Sequence, residues 1–378
     1  MNIKTTLKSS VAAAALFAVV APAQAGSVSN GNDTASVTLS GHFNKMLMWM
    51  DSGDASRLTI AGNHNSETRA RIVVKGKLNE AVSVGAVSEY AMETNRTSSV
   101  SPANTAGTGN PEVGSDGYFT KRHTYVKFDH KQFGSVRLGW TSEANDSITE
   151  MNMTGATDVV YGGNILVGGA INLQRTNAAP GVFTTTTVGS LFENAGEGGR
   201  TDTVRYDTPT VGGFTAAASF QADQSSSAAI RWGAKFGAFK VQAGYGGTNE
   251  SAASTTQELT HGGSVAVGHD SGFSVRAKYG QTEFKGATRD ESELWSFGAG
   301  YKAKLISAGN TNFAFDYILS ENASANGDEM VMYNIGVEQE TDAGVKFYLG
   351  YQLFQGEQAG GVDYEDASTI LAGTKVFF

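Results

Sequence analysis

Ala367-Ser368-Thr369-Ile370-Leu371-Ala372-Gly373-Thr374-Lys375-Val376-Phe377-Phe378 decides how the rest of the chain is read. Its period-two alternation puts Ile370, Val376 and Phe378 on one face and Thr369, Gly373 and Lys375 on the other, the pattern of a β-strand. Terminal residues of soluble domains usually fray into solvent, yet this strand ends flush on aromatics. A closed barrel gives it a partner, the first strand, because an open edge in lipid leaves backbone groups unsatisfied. The expectation is an all-β fold, a transmembrane antiparallel β-barrel that closes at Phe378.

Composition bounds the alternatives. The 378 residues carry a formal net charge of −9, with 47 Gly, 5 Pro and no Cys. That length suits two soluble domains or one large barrel. Without Cys there is neither a disulfide framework nor a thiolate metal site. The acidic balance argues against nucleic acid as a partner. Residues 1–25 read as a cleaved signal peptide: Lys4 and Lys8, an apolar run over 11–20, then Ala23-Gln24-Ala25. The run is too short to span a bilayer as a helix. Residues 26–378 remain as the barrel domain, exported through the periplasm.

From Ser36 onward one pattern recurs: period-two strand, short turn, period-two strand, longer polar loop. Residues 37–50 read as the first strand and 51–65 as a polar loop. In 68–78, Arg69, Arg71, Lys75 and Lys77 share one face, while Ala70, Ile72, Val74 and Leu78 share the other. Residues 94–117 form a Ser/Gly/Pro/Asn-rich loop, and 121–129 with 133–140 form a hairpin. Residues 141–199 are far too many for a hairpin loop. They contain Val159-Val160-Tyr161 and Ile165-Leu166-Val167, so this segment is expected to pack against something. Strands resume at 201 and continue to the terminus. The total is about sixteen, even in number as single-chain bacterial barrels are.

Parity assigns two surfaces. Outward go Trp232, Phe236, Tyr245, Val275, Phe315, Leu349 and Tyr351; inward go Arg137, Arg231, Lys240, Arg276, Asp316, Glu338 and Lys346. A lumen with so many charges must hold water, since unpaired buried charges cost too much. A hydrated lumen inside an apolar exterior is a channel. Lys45 departs from the pattern by sharing a face with Phe43 and Leu47, which calls for a bulge or a protein-covered position. Motifs for phosphate binding, paired-His metal sites and nucleophile elbows are absent. No enzyme, cofactor or metal is expected.

Several segments resemble the Gram-negative general porins: Arg71-Ile72-Val73-Val74-Lys75-Gly76, Arg122-His123-Thr124-Tyr125-Val126-Lys127-Phe128, Phe133-Gly134-Ser135-Val136-Arg137-Leu138-Gly139, Val204-Arg205-Tyr206-Asp207 with Pro209, and terminal Phe378. The resemblance implies a homotrimer of sixteen-stranded barrels in the outer membrane, each with its third external loop folded inward. It implies contact with outer-membrane lipid and lipopolysaccharide, and recognition of Phe378 by the outer-membrane assembly machinery. By position, Arg71, Arg122 and Arg200 match the family's wall arginines, with Arg69 and Arg205 beside them. Glu143, Asp146, Glu150 and Asp158 are the candidate loop acids. Lys75, Lys77, Arg137, Arg231, Lys240, Arg276 and Lys346 line the pore. Trp140 stands where many relatives carry another Arg. Strict parity puts Arg122 with Val126, so either the strand bulges there or Arg122 is not a wall arginine.

The expected function is passive diffusion of ions and small hydrophilic solutes through a water-filled pore. Filtering is by width and by a field between wall arginines and loop acids. A solute-selective porin is the alternative within the class; a barrel enzyme or an adhesin are the alternatives outside it. Outward residues on 68–91 are small or β-branched, whereas later strands present aromatics. The early wall is therefore expected to face other subunits and the later wall lipid.

Overall fold

A computed structural model describes residues 26–29, 35–103, 119–161, 165–179, 181–193, 196–286 and 288–378. The signal segment 1–25 lies outside the described residues. In chain order the strands are β1 (Gly26–Ser29), β2 (Ala35–Ser52), β3 (Ala55–Gly62), β4 (Arg69–Lys77), β5 (Val82–Ala91), β6 (Thr120–His130), β7 (Gly134–Ser142), β8 (Arg200–Asp207), β9 (Phe214–Gln221) and β10 (Ser226–Phe236). There follow β11 (Phe239–Asn249), β12 (Gln257–His269), β13 (Phe273–Phe284), β14 (Ser292–Ile306), β15 (Gly309–Glu321), β16 (Glu329–Glu340), β17 (Val345–Gln358), β18 (Val362–Asp363) and β19 (Ala367–Phe377).

All pairings in the sheet are antiparallel between strands adjacent in the wall, and β19 pairs with both β17 and β2, which closes the sheet. Phe378 continues that seam: its N–H donates to the Gly41 carbonyl at 3.0 Å, and the Gly41 N–H donates back at 3.0 Å. Below the seam β1 takes over as the partner of β2. The upper half of β2 pairs with β3 and its lower half with β4, so β3 and β4 act as one interrupted strand. Counted this way, and leaving aside the short additions β1 and β18, sixteen strands cross the wall.

Residues 51–65, expected as a polar loop, instead contain a tight turn at Gly53 and then β3. Charged and small residues around it hide the alternation of Leu58 and Ile60, whose side chains are exposed on the outer face. The interruption after Gly62 is a short 3-10 turn, His64–Ser66. Side chains restore the lost ladder there. The Thr68 hydroxyl accepts from the Asn44 N–H at 3.0 Å and is 3.3 Å from the Asn44 carbonyl. The Thr68 N–H donates to Glu93. Glu93 also meets Lys45 at 3.5 Å, which partners the lysine that parity leaves on the outer face.

Exposure follows parity around the wall. Phe273, Val275, Phe297, Phe315 and Leu349 are exposed outside, while Ser274, Arg276, Ser296, Asp316 and Tyr348 are buried inside. The interior is not polar throughout. Met48 and Met50 of β2, Leu294 of β14, Met330 of β16, Phe354 of β17 and Leu371 of β19 all point inward and are fully buried. They form one apolar cluster with Val159, Val160, Ile171, Leu173 and Leu191 of the segment between β7 and β8.

Candidate functional site

The lumen has two unlike walls. On the first, β4 holds Arg69, Arg71, Lys75 and Lys77 on its inner face, and Glu89 of β5 lies directly opposite Arg71 in the ladder. The register of β5 against β6 shifts between Glu89 and Tyr90: His123 faces Glu89 and Lys121 faces Tyr90. Arg122 is the extra residue of a β-bulge, which re-aims a side chain. The bulge turns Arg122 inward, where its Nε lies 2.8 Å from Glu89 and its guanidinium also meets Glu67. Arg69 and Arg71 lie 3.5 and 3.7 Å from Glu89, and Arg96 lies 3.6 Å from Glu67. Toward the turn end of this wall a cavity of about 680 Å³ is lined by Arg71, Lys75, Lys77, Tyr125, Lys127 and Asp129, among others.

The second wall carries the segment 143–199, the third connection at the loop end. Its contacts progress around the inner face. The Ala144 N–H donates to Ser219 of β9 and Ser227 of β10 at 2.9 and 3.1 Å. Arg231 of β10 donates to the Ala144 and Asp146 carbonyls. Thr248 of β11 donates to Glu143 at 3.2 Å. Ser264 of β12 accepts from the Met151 N–H at 3.0 Å. Asn334 of β16 donates to the Val159 carbonyl at 3.0 Å. Asp158 then meets Lys375 of β19 at 3.2 Å and accepts from Asn44 of β2 at 2.9 Å. Glycines make the approach possible. A Cβ on Gly300 would stand 2.5 Å from Thr154, and one on Gly336 2.3 Å from Val159.

The remaining sequence-derived residues fall as follows. Arg205 pairs with Asp207 at 2.6 Å and donates to the Glu143 carbonyl at 2.6 Å. Arg200 lies 3.7 Å from Asp146, and Arg137 lies 3.5 Å from Asp207. Glu150 accepts from the Tyr161 hydroxyl at 3.0 Å. Arg276 pairs with Asp316, Lys346 lies 2.5 Å from Glu338, and Lys240 is exposed on the inner face of β11. Trp140 faces outward with Leu138, and the Lys121 ammonium sits 3.6 Å above its ring.

Sequence reasoning passed over Glu67, Glu89, Arg96 and Glu197. Glu89 carried a usable signal, since its parity on β5 places it inside, facing an arginine. Glu197 is far in sequence from its neighbours. Burial, then the charges of Glu150 and Asp146, hold its carboxyl well above the usual range. Glu150 is raised likewise by burial and Asp146.

A closed antiparallel sheet, apolar outside and charged inside, defines a membrane-spanning β-barrel channel. The family model for Gram-negative porins matches residues 10–359, and the chain belongs to that family; it is an outer-membrane channel. No curated protein sequence matches it. Among solved structures, the anion-selective porin of Comamonas acidovorans is similar with a TM-score of 0.60 at 15% identity, over 91% of this chain and 100% of that one. OmpF of Salmonella typhi, in complex with daunomycin, gives 0.58 at 14% identity over 93% and 100%. OmpT of Vibrio cholerae gives 0.58 at 14% identity over 93% and 100%. These likenesses show the shared barrel.

Proposed function

We propose that the protein is a non-catalytic diffusion channel for ions and small hydrophilic solutes, narrowed where the segment 143–199 crosses the lumen. The observation that carries this reading is the run of contacts from Ser219 of β9 through Ser264 of β12 and Asn334 of β16 to Lys375 of β19, which follows the inner wall around the barrel. In this reading the first wall, with Arg69, Arg71 and Arg122, forms one side of the narrowest level. Asp146 supplies the charge of the other, with the Glu150 and Glu197 carboxyls beside it. Asp158 is fully buried between the segment and the second wall, so it acts as an anchor and not as a filter charge. Passage is then set by width and by the field between the two sides.

The protein works as a homotrimer in this reading, as the trimer form described for OmpT of Vibrio cholerae suggests. An anion preference is the second reading. Four arginines, Arg69, Arg71, Arg96 and Arg122, share the two carboxylates Glu67 and Glu89. The test is single-channel conductance in planar bilayers for the native protein and for a deletion of residues 154–187. The deletion should raise conductance and admit larger sugars. Unchanged conductance from a folded deletion variant would remove the constriction from the account.

A further inference from the structure

The charges on the lumen are sorted along the pore axis as well as across it. At the loop end Glu143 after β7, Asp223 after β9 and Glu250 after β11 come together, and Asp146, Glu150 and Glu197 follow deeper in the lumen with Lys278 among them. They act on one another as like charges. Burial raises Glu143, and Asp146, Glu250 and Asp223 push it further up. Burial and then Asp223 raise Glu250. Arg200 at 3.7 Å from Asp146, Lys285 beside Glu250 and Lys278 beside Glu150 and Glu197 offset only part of this.

The turn end is the reverse. Lys75, Lys77 and Lys127 line the cavity on the first wall. Lys235 and Lys240 face each other across the β10–β11 ladder, and Lys302 stands on the inner face of β14. Carboxylates offset some of them: Glu80 at Lys77, Asp129 at Lys127, Asp270 at Lys235 and Glu340 at Lys302. Among the described residues Lys75 and Lys240 have no carboxylate within ion-pair distance. The excess charge at this end is positive.

We propose that this axial separation makes the pore an ionic rectifier. The inference rests on the pore reading above and adds a direction to it. An acidic mouth concentrates cations and a basic vestibule concentrates anions. When the loop side is electrically positive, cations enter through the acidic end and anions through the basic end, and both fill the pore. Under the opposite polarity each ion must enter through the end that repels it, so the middle is depleted and current falls. The effect needs a screening length comparable to the pore. That length is about 10 Å at 0.1 M salt and about 3 Å at 1 M.

The test uses the native protein in a planar bilayer with equal KCl on both sides. Orientation is read from a Thr288→Cys variant, biotinylated at its one thiol and blocked by streptavidin from one chamber. At 0.1 M the current with the loop side positive should exceed the reverse current about twofold, and the ratio should fall to about one at 1 M. Asp223→Asn with Glu250→Gln, or Lys75→Gln with Lys240→Gln, should each bring the 0.1 M ratio toward one in a channel that still conducts. A conducting channel with equal currents at 0.1 M overturns the rectifier and leaves the pore. A ratio indifferent to both variant pairs overturns it too, because shape alone would then be its source. Absence of any current would remove the pore reading and the rectifier together.

Discussion

The Asp158 carboxylate lies 3.2 Å from the Lys375 ammonium, joining the middle of the third connection to the last strand of the barrel. Burial pushes the Asp158 carboxyl up, but Lys375 and Lys346 outweigh it and hold the group below the usual carboxylate range. A depressed acid contributes stability above its unfolded pKa of about 3.9 and loses it as pH falls through the lower folded value.

The first prediction concerns that anchor. Asp158→Asn leaves a buried lysine unpaired, a loss of about 3–5 kcal/mol when one partner of a buried pair is removed. The barrel should still form, while the segment loosens. Single-channel records should show larger and noisier conductance, and limited proteolysis should cut between 154 and 187. In the native protein the same behaviour should be absent between pH 7 and about pH 4. A quiet, native-like Asp158→Asn channel would show that the anchor lies elsewhere.

Ile72 and Arg71 are sequence neighbours on opposite faces of β4. Ile72 is 46% exposed on the outer wall, and Arg71 stands beside Glu89 in the lumen. Ile72→Lys should destabilise the barrel, by about 2–4 kcal/mol in a subunit whose β4 face meets mid-bilayer lipid and through lost packing where another subunit covers that face. Arg71→Ser should leave folding intact and move the reversal potential toward cation preference. Urea unfolding from vesicles measures the first effect and a salt gradient the second. Equal destabilisation by both variants would refute the assignment of faces.

Phe378 closes the seam through its backbone bonds to Gly41, and its ring packs 5.7 Å from that of Phe43. Removal of Phe378 should lower the quantity of inserted barrel without abolishing export. The readout is heat-modifiable barrel in outer-membrane fractions. Native levels would count against a role in assembly.

The outer face of β4 and β5 offers Ala70, Ile72, Val74, Val84 and Ala86, and a shallow groove there runs past Thr124, Val126 and Leu138. Flat, small-residue wall suits close packing of subunits. Ala70→Trp or Val84→Trp should weaken oligomers on unheated gels, while Ala243→Trp on the far wall should not. If all three migrate alike, the subunit contact has been placed on the wrong side.

Much of the barrel was legible because period-two alternation survives wherever one face meets lipid. The hairpin read over 121–129 and 133–140 stands in the structure as β6 and β7. One group of misses arises where the third connection covers the second wall. Met48, Met50 and Leu371 sit inward under the third connection, so apolar side chains occur on both faces of their strands. Strand β3 was lost for the opposite reason, since Ser56, Arg57 and Thr59 dilute its two outward apolar residues. At Arg122 the conflict with parity was itself informative, because a bulge is the way a strand accommodates one extra residue. The pairing of Glu67 with Arg96 and Arg122 was not readable. It depends on a break in the sheet that no local pattern announces.

That break divides the wall into two kinds of material. Over most of the barrel the strands are held by peptide groups, which every residue except proline supplies, and side chains need only keep the alternation of polarity. Substitution there can wander widely while the architecture persists, as barrels at 14–15% identity illustrate. Between Gly62 and Arg69 the seal is made by particular side chains instead: the Thr68 hydroxyl against Asn44, and Glu93 over a glycine whose missing Cβ leaves it room. Mutational tolerance should therefore be uneven around the circumference. A saturation library scored for outer-membrane barrel would be permissive along β9 to β17 and would become abruptly intolerant at Gly62, Thr68 and Glu93.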